Sequence, residues 1–239
     1  MKTKMLLPAI AALITISLFT SCEKIKGKGE VITETRTTGT YSSIGLSMSA
    51  TVYYTQGTGY SLLVRGQENV LREIVTEVEG NELVIRVKKN VILGTHEPVS
   101  VYITAPTVTG LNVSGSGDFY SDSPWIASTI ALNISGSGNI NMGTVECETL
   151  SATISGSGSI RAAGGTATRE ELRISGSGTI DLRSLPAVNV YTTTSGSGDT
   201  YTHATNLLDV TISGSGDIWY YGTPAINTHI SGSGNLHKM

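Results

Sequence analysis

With two cysteines and six prolines in 239 residues, the chain has neither a disulfide framework nor a proline-rich spine. Charge is also scarce, with 16 basic against 19 acidic residues and a formal net charge of -3. No basic run is large enough to neutralise a row of phosphates, which removes nucleic acid as a partner. The four histidines, His96, His203, His229 and His237, show no spacing that would gather them around a metal ion. Strong helix formers are sparse. The only long apolar run, Met5 to Phe19, is shorter than the roughly 20 residues a membrane-spanning helix needs. Threonine, serine, valine, isoleucine, tyrosine and glycine dominate instead, and that mixture favours an all-β chain with many turns.

The apolar run has a different use. It follows a short positive segment, Met1 to Lys4, and ends in Phe19-Thr-Ser-Cys22. A positive start, an apolar middle and small residues at the end describe a secretory signal. Two small residues directly before a cysteine resemble a bacterial lipobox. That resemblance implies that residues 1–21 are a lipoprotein-type signal peptide, cleaved before Cys22, whose thiol then carries the lipid. An ordinary signal peptide with an incidental Cys22 is the alternative. Several acyl chains bury enough methylene groups for a stable membrane hold. Loss of Lys2 and Lys4 with the signal would take the net charge from -3 to -5. Residues 22–29 are polar and read as a lipidated tether between anchor and body. Cys147 alternates with Glu146 and Glu148 and reads as an inward, structural thiol.

The tetrapeptide Ser-Gly-Ser-Gly begins at Ser114, Ser135, Ser155, Ser175, Ser195, Ser213 and Ser231, at intervals of 18 to 21 residues. A fixed period near 20 marks a repeat architecture. Around each tetrapeptide apolar and polar residues alternate, as strands with one buried face do. The residues just before it are Val113, Ile134, Ile154, Ile174, Thr194, Ile212 and Ile230. The second residues after it are Phe119, Ile140, Ile160, Ile180, Thr200, Ile218 and Leu236. Two columns of mostly β-branched residues, repeating once per period, predict a parallel β-helix with seven SGSG-cornered coils. At ~4.8 Å per coil, six intervals make a rod of roughly 29 Å. Glycine suits the corners because it accepts positive φ and close backbone approach. Serine hydroxyls are expected to bond nearby backbone groups there. The coil with Thr192, Thr194 and Thr200 should have a more polar, weaker core. A phosphate-cradling role for the tetrapeptide lacks the following lysine and helix.

Residues 30–110 lack the clear repeat but still read as strands, chiefly Leu62 to Arg65, Glu82 to Val87 and Val99 to Thr104. Glu68 to Val78 reads as a short helix or another strand. Leu46 to Tyr53 aligns with Val113 to Tyr120 and reads as a degenerate coil. The expected organisation is one β-helical domain over 30–239, with an elaborated N-terminal β region over 30–110 and repeat coils over 111–239.

The run SATVYYTQGTGYSLLVRGQENVLREIVTEVEGNELVIRVKK, then PVSVYITAP, then repeated ISGSGNI and ISGSGDI, resembles the putative auto-transporter adhesin head GIN domain family. Membership would imply a right-handed parallel β-helix in the cell envelope of Bacteroidetes-type bacteria, as an outer-membrane lipoprotein. It also implies an adhesin role and brings no catalytic residues. Cys22 is followed by Glu-Lys-Ile-Lys without an acidic export cluster, so surface and periplasmic faces both stay open.

The residue after each tetrapeptide is Asp118, Asn139, Ser159, Thr179, Asp199, Asp217 or Asn235. Calcium wants six to eight oxygens with several carboxylates, so a hydrogen-bonded polar ladder explains this set better. A polysaccharide lyase would need clustered carboxylates and a basic residue. Arg161, Asp181 and Arg183 come near each other in coil position but read as a surface salt bridge. No enzyme activity, metal or cofactor is therefore expected. At the next outward position, two residues further along, stand Tyr120, Asn141, Arg161, Asp181, Tyr201, Trp219 and His237. Tyr120, Tyr201, Trp219 and His237, with Tyr220 and Tyr221 nearby, form a candidate binding face for a glycan or protein partner. A structural or assembly role in the envelope is the alternative. The last coil shows no cap in the sequence, so a second subunit or the chain's own N-terminal part is expected to cover it.

Overall fold

The alternation around each tetrapeptide decides how the chain winds. A computed structural model describes residues 23–239; the expected signal peptide and Cys22 lie outside the described residues. Strands Thr129–Gly136, Asn139–Gly156, Ser159–Gly176, Thr179–Thr194 and Asp199–Ile212 lie over one another in parallel. Pairing breaks at Gly143 and Glu148 divide the coil that contains them into three sides. The result is a β-solenoid in which seven SGSG corners bound about six turns.

Register is kept from coil to coil. Val113, Ile134, Ile154, Ile174, Thr194, Ile212 and Ile230 are stacked partners, as are Phe119, Ile140, Ile160, Ile180, Thr200, Ile218 and Leu236. Apart from Ile230 and Leu236 on the last coil, every member of both columns is at most 2% exposed, so the columns fill the tube interior as expected. Each aliphatic buried in this way contributes roughly 1.5–3 kcal/mol.

The corners show why glycine recurs. Gly136 has φ +148°, and a methyl group built on it would sit 2.5 Å from the carbonyl oxygen of Gly115 in the coil below. The second glycine is equally confined, since a side chain on Gly158 would meet both the Gly138 carbonyl and Ile134 Cγ2. The corner serines behave differently from expectation. Their backbone N–H groups, not their hydroxyls, make the bonds: Ser157 donates to Gly136 O and Ser177 to Gly156 O, both at 2.9 Å. The coil below already satisfies the bend, so the hydroxyls face solvent. Among the described corner serines the one side-chain bond is Ser231 Oγ to Ser213 Oγ, at 3.4 Å.

The N-terminal part continues the same stack and then closes it. Ser43–Ser47 and Thr51–Gln56 lie under the first SGSG coil, with Leu46 under Val113 and Tyr53 under Tyr120. Leu46 to Tyr53 is thus a coil with its corner altered. Glu82–Val87 and Ser100–Ala105 make one further parallel rung below it. Antiparallel strands Ile74–Glu79, Ser61–Gln67 and Val31–Arg36 then end the parallel stacking. The segment with two readings takes both: a short helix Glu68–Leu71 precedes the strand, and Val70 and Leu71 are fully buried. This cap lies at the end opposite the last coil. The expectation that the N-terminal part covers the last coil is therefore corrected. Ala225–Ile230 is exposed along its length, with Ile226 at 41% and Ile230 at 42%.

A second correction concerns the tether. Glu23–Ile25 pairs in parallel with Val91–Leu93. Asn69 then holds the chain twice, its Oδ1 accepting from Lys28 N–H and its Nδ2 donating to Lys26 O, both at 2.8 Å. Residues 23–29 are bound to the body rather than free of it. These are backbone contacts, which leave no apolar pattern in the sequence.

One coil carries polar residues inside. Thr192, Thr194, Thr200 and Thr202 are at most 2% exposed, as the threonine substitutions in the repeat suggested. Glu170, which stands in a column with Leu150, Val190 and Leu208, is also fully buried. Thr202 Oγ1 donates to its Oε2 at 2.8 Å, while its Oε1 and the hydroxyls of Thr192, Thr194 and Thr200 have no protein partner. Buried polar atoms without partners cost stability, so this layer is the weak section of the tube. Burial pushes the Glu170 carboxyl up to about 8, despite the opposing Thr202 bond. Cys147, half-buried on the same stack, has its thiol raised to about 11, by burial first and by Glu170 second, which disfavours the nucleophilic thiolate.

Glu170 sets a pH dependence. Between its ordinary value of 4.5 and about 8, the folded protein holds a proton that the unfolded chain has lost. Stability therefore falls as pH rises through that window, by on the order of 1 kcal/mol per unit from this group, and levels off above it. Glu170→Gln should flatten the decline and melt higher than the parent at pH 8. Denaturant titrations at pH 5, 6.5 and 8 check this; an unchanged slope in the variant would contradict it.

Candidate functional site

Because strands alternate their side chains and coils keep register, every outward position becomes a column along the rod. One such column runs through nine rungs: Tyr102, Tyr53, Tyr120, Asn141, Arg161, Asp181, Tyr201, Trp219 and His237. The structure brings Tyr201, Trp219 and His237 together as expected. Tyr201 and Trp219 stack with centroids 4.7 Å apart and planes 10° from parallel, and Trp219 and His237 stack at 5.2 Å and 21°. Tyr120 belongs to a second cluster, in which Tyr53 stacks on Tyr102 at 5.1 Å and on Tyr120 at 5.8 Å. Four rungs, or ~19 Å, separate Tyr120 from Tyr201.

The stacking changes what the rings can offer. Neighbouring faces contact each other, so the column offers ring edges between its rungs rather than separate free faces. Tyr221 lies in the neighbouring outward column, its ring 6.1 Å from His203. Tyr220 is corrected outright. It is 8% exposed and belongs to the core, since it follows the outward Trp219 on the same strand. Tyr53 and Tyr102, missing from the sequence-based set, are 38% and 41% exposed. The alignment of Leu46–Tyr53 with Val113–Tyr120 was the signal for Tyr53.

Charged groups fill the gap between the clusters. Arg183 grips Asp181 through two bonds, Nε to Oδ1 at 2.7 Å and Nη2 to Oδ2 at 3.1 Å, while its Cζ lies 4.2 Å from the centroid of Tyr201. The Asp181 carboxylate holds the Arg183 guanidinium above its ordinary pKa. Arg161 comes within 3.8 Å of the same carboxylate. The aromatic and charged parts thus form one continuous stack, with the guanidinium of Arg183 joining them. Beside it runs the polar ladder. Asn139 Nδ2 donates to Asp118 Oδ1 at 2.8 Å, and Ser159 Oγ donates to Asn139 Oδ1 at 2.7 Å. Higher up, Asn235 N–H donates to Asp217 Oδ1 at 2.7 Å. These oxygens are used in binding neighbouring coils. Among the described residues no group of three or more His, Cys, Asp or Glu is placed to hold a metal ion.

The comparisons agree with this architecture. The family model "Putative auto-transporter adhesin, head GIN domain" matches residues 40–224. A crystal structure of a putative adhesin from Bacteroides fragilis shares 26% identity at a TM-score of 0.84, covering 90% of this chain and all of the other. A putative lipid binding protein from Parabacteroides distasonis shares 28% identity at 0.75, covering 91% and 100%. A putative adhesin from Parabacteroides merdae, at 20% identity, TM-score 0.72 and coverage of 91% and 99%, shares the fold. No curated protein matches the chain.

Proposed function

Because the chain belongs to the putative auto-transporter adhesin, head GIN domain family, we propose that it is a non-catalytic adhesion or ligand-binding module whose aromatic column meets a glycan or an envelope protein. The nine-rung column is the observation that carries this reading. It continues rung by rung in register, and it sets two aromatic clusters either side of a charged middle. Rigid aromatics bind with little loss of side-chain freedom. A lyase is disfavoured by the same geometry, since Arg161 and Arg183 both turn to Asp181 instead of standing free as bases. Structural assembly in the envelope is the other role this surface could serve.

Variants of the two clusters separate the readings. Tyr201→Ala with Trp219→Ala, and Tyr53→Ala with Tyr102→Ala, should each weaken capture of glycan-array or envelope-protein ligands about tenfold or more, with the circular dichroism spectrum unchanged. Trp219 also reports directly. The chain has two tryptophans, and Trp125 is fully buried, so ligand should shield Trp219 from acrylamide quenching. Unchanged capture together with unshielded Trp219 would remove the column from the binding surface.

The location proposed is the outer membrane, through lipidation of Cys22. Metabolic labelling with a fatty acid should mark the parent and leave Cys22→Ser unlabelled and released into the soluble fraction. An unlabelled parent would overturn the anchor, and protease shaving of intact cells would then show which side of the membrane the body faces.

A further inference from the structure

The side of the rod that precedes each corner has a hollow of its own. Arg169, Glu171 and Arg173 point outward along one strand, with Asn189, Tyr191 and Thr193 directly above them and Leu207, Asp209 and Thr211 above those. Thr193 is short beside Tyr191 and above Arg173. The gap is a concavity of about 220 Å³, with walls from Arg169, Glu171, Arg173, Tyr191 and Asp209. That is below the roughly 300–1,000 Å³ of drug-sized sites and suits one small polar ring.

The walls are arranged for such a ring. The guanidinium of Arg169 lies 3.9 Å from the centroid of Tyr191, and its Nε donates to Glu171 Oε1 at 2.8 Å. Tyr191 is thereby fixed in orientation, an aromatic plate against which the C–H groups of a sugar can lie. Glu171 and Asp209 stand below and above Tyr191 in its own column and can accept bonds from hydroxyls. Arg173 is different. Its column neighbours are Thr153 and Thr193, and among the described residues it is in no ion pair. The corner side of the hollow therefore carries one unmatched positive charge, in the fork geometry that takes a carboxylate through two bonds.

We propose that this hollow is a subsite for one uronic acid residue of an acidic polysaccharide, with Arg173 on its carboxylate, Tyr191 under its ring, and Glu171 and Asp209 on its hydroxyls. The proposal rests on the reading of the chain as a binding module, but it uses a surface separate from the nine-rung column.

Calorimetric titration of the full chain with tetragalacturonate, with a neutral galactose oligomer and with a sulfated galactose oligomer tests it. Arg173→Gln is the main variant, because Arg173 is exposed and supports no other side chain. Tyr191→Ala is the second variant, and Tyr201→Ala with Trp219→Ala the control. The expected result is binding of tetragalacturonate that weakens about tenfold or more in Arg173→Gln and in Tyr191→Ala and persists in the control. The neutral oligomer should not bind at this site. Binding lost only in the control would overturn the subsite and leave the column reading intact. Binding unaffected by any variant, or none to the parent, would overturn the subsite. Preference for the sulfated oligomer would overturn the carboxylate assignment.

Discussion

The whole molecule depends on how closely two successive corners can approach. At each SGSG bend after the first, the backbone of one coil rests on the carbonyl groups of the coil below, with no room for a side chain on either glycine. The N–H of the second serine then binds the first glycine's carbonyl in that lower coil. Wherever this contact repeats, the flanking strands are drawn into register. Register puts isoleucine over isoleucine inside the tube, where the branched side chains exclude water.

The same constraint shapes the outside. A solenoid in register turns each outward position into a line of neighbours, so a substitution in the repeat acts along a column rather than alone. Aromatic residues on adjacent rungs must stack on one another, and Tyr201, Trp219 and His237 do. The surface that results is stiff and linear, and its chemistry changes stepwise along the axis. That form suits recognition of an extended partner. The polar layer at Glu170 shows the cost of the arrangement. One polar residue in an interior column, with threonines on the next coil, leaves several buried oxygens without protein partners.

Much of this was legible in the sequence, because the period of the tetrapeptide is also the period of the structure. The two interior columns, the polar ladder after each corner and the stacking of Tyr201, Trp219 and His237 follow from counting residues. The inward turn of Tyr220 was also available, since adjacent residues on a strand face opposite ways. Other features were hidden for physical reasons. Pairing of Glu23–Ile25 with Val91–Leu93 is made by backbone groups over a distance in sequence that no periodicity spans. Tyr102 joins the aromatic column through a rung whose corner is not SGSG. The burial of Glu170 shows only when its column is aligned through Leu150 and Val190, away from the corners where the repeat is sharp.

Removal of one whole coil tests the stacking account most directly. Deleting residues 155–174 would join Ile154 to Ser175, restoring the tetrapeptide directly after an interior isoleucine and bringing every remaining column back into register. Thermal unfolding followed by circular dichroism should then show a single cooperative transition and a β spectrum like that of the parent, while deletion of ten residues should abolish both. An unfolded product from the twenty-residue deletion, or equal tolerance of the ten-residue one, would contradict an architecture built on superposed glycine corners.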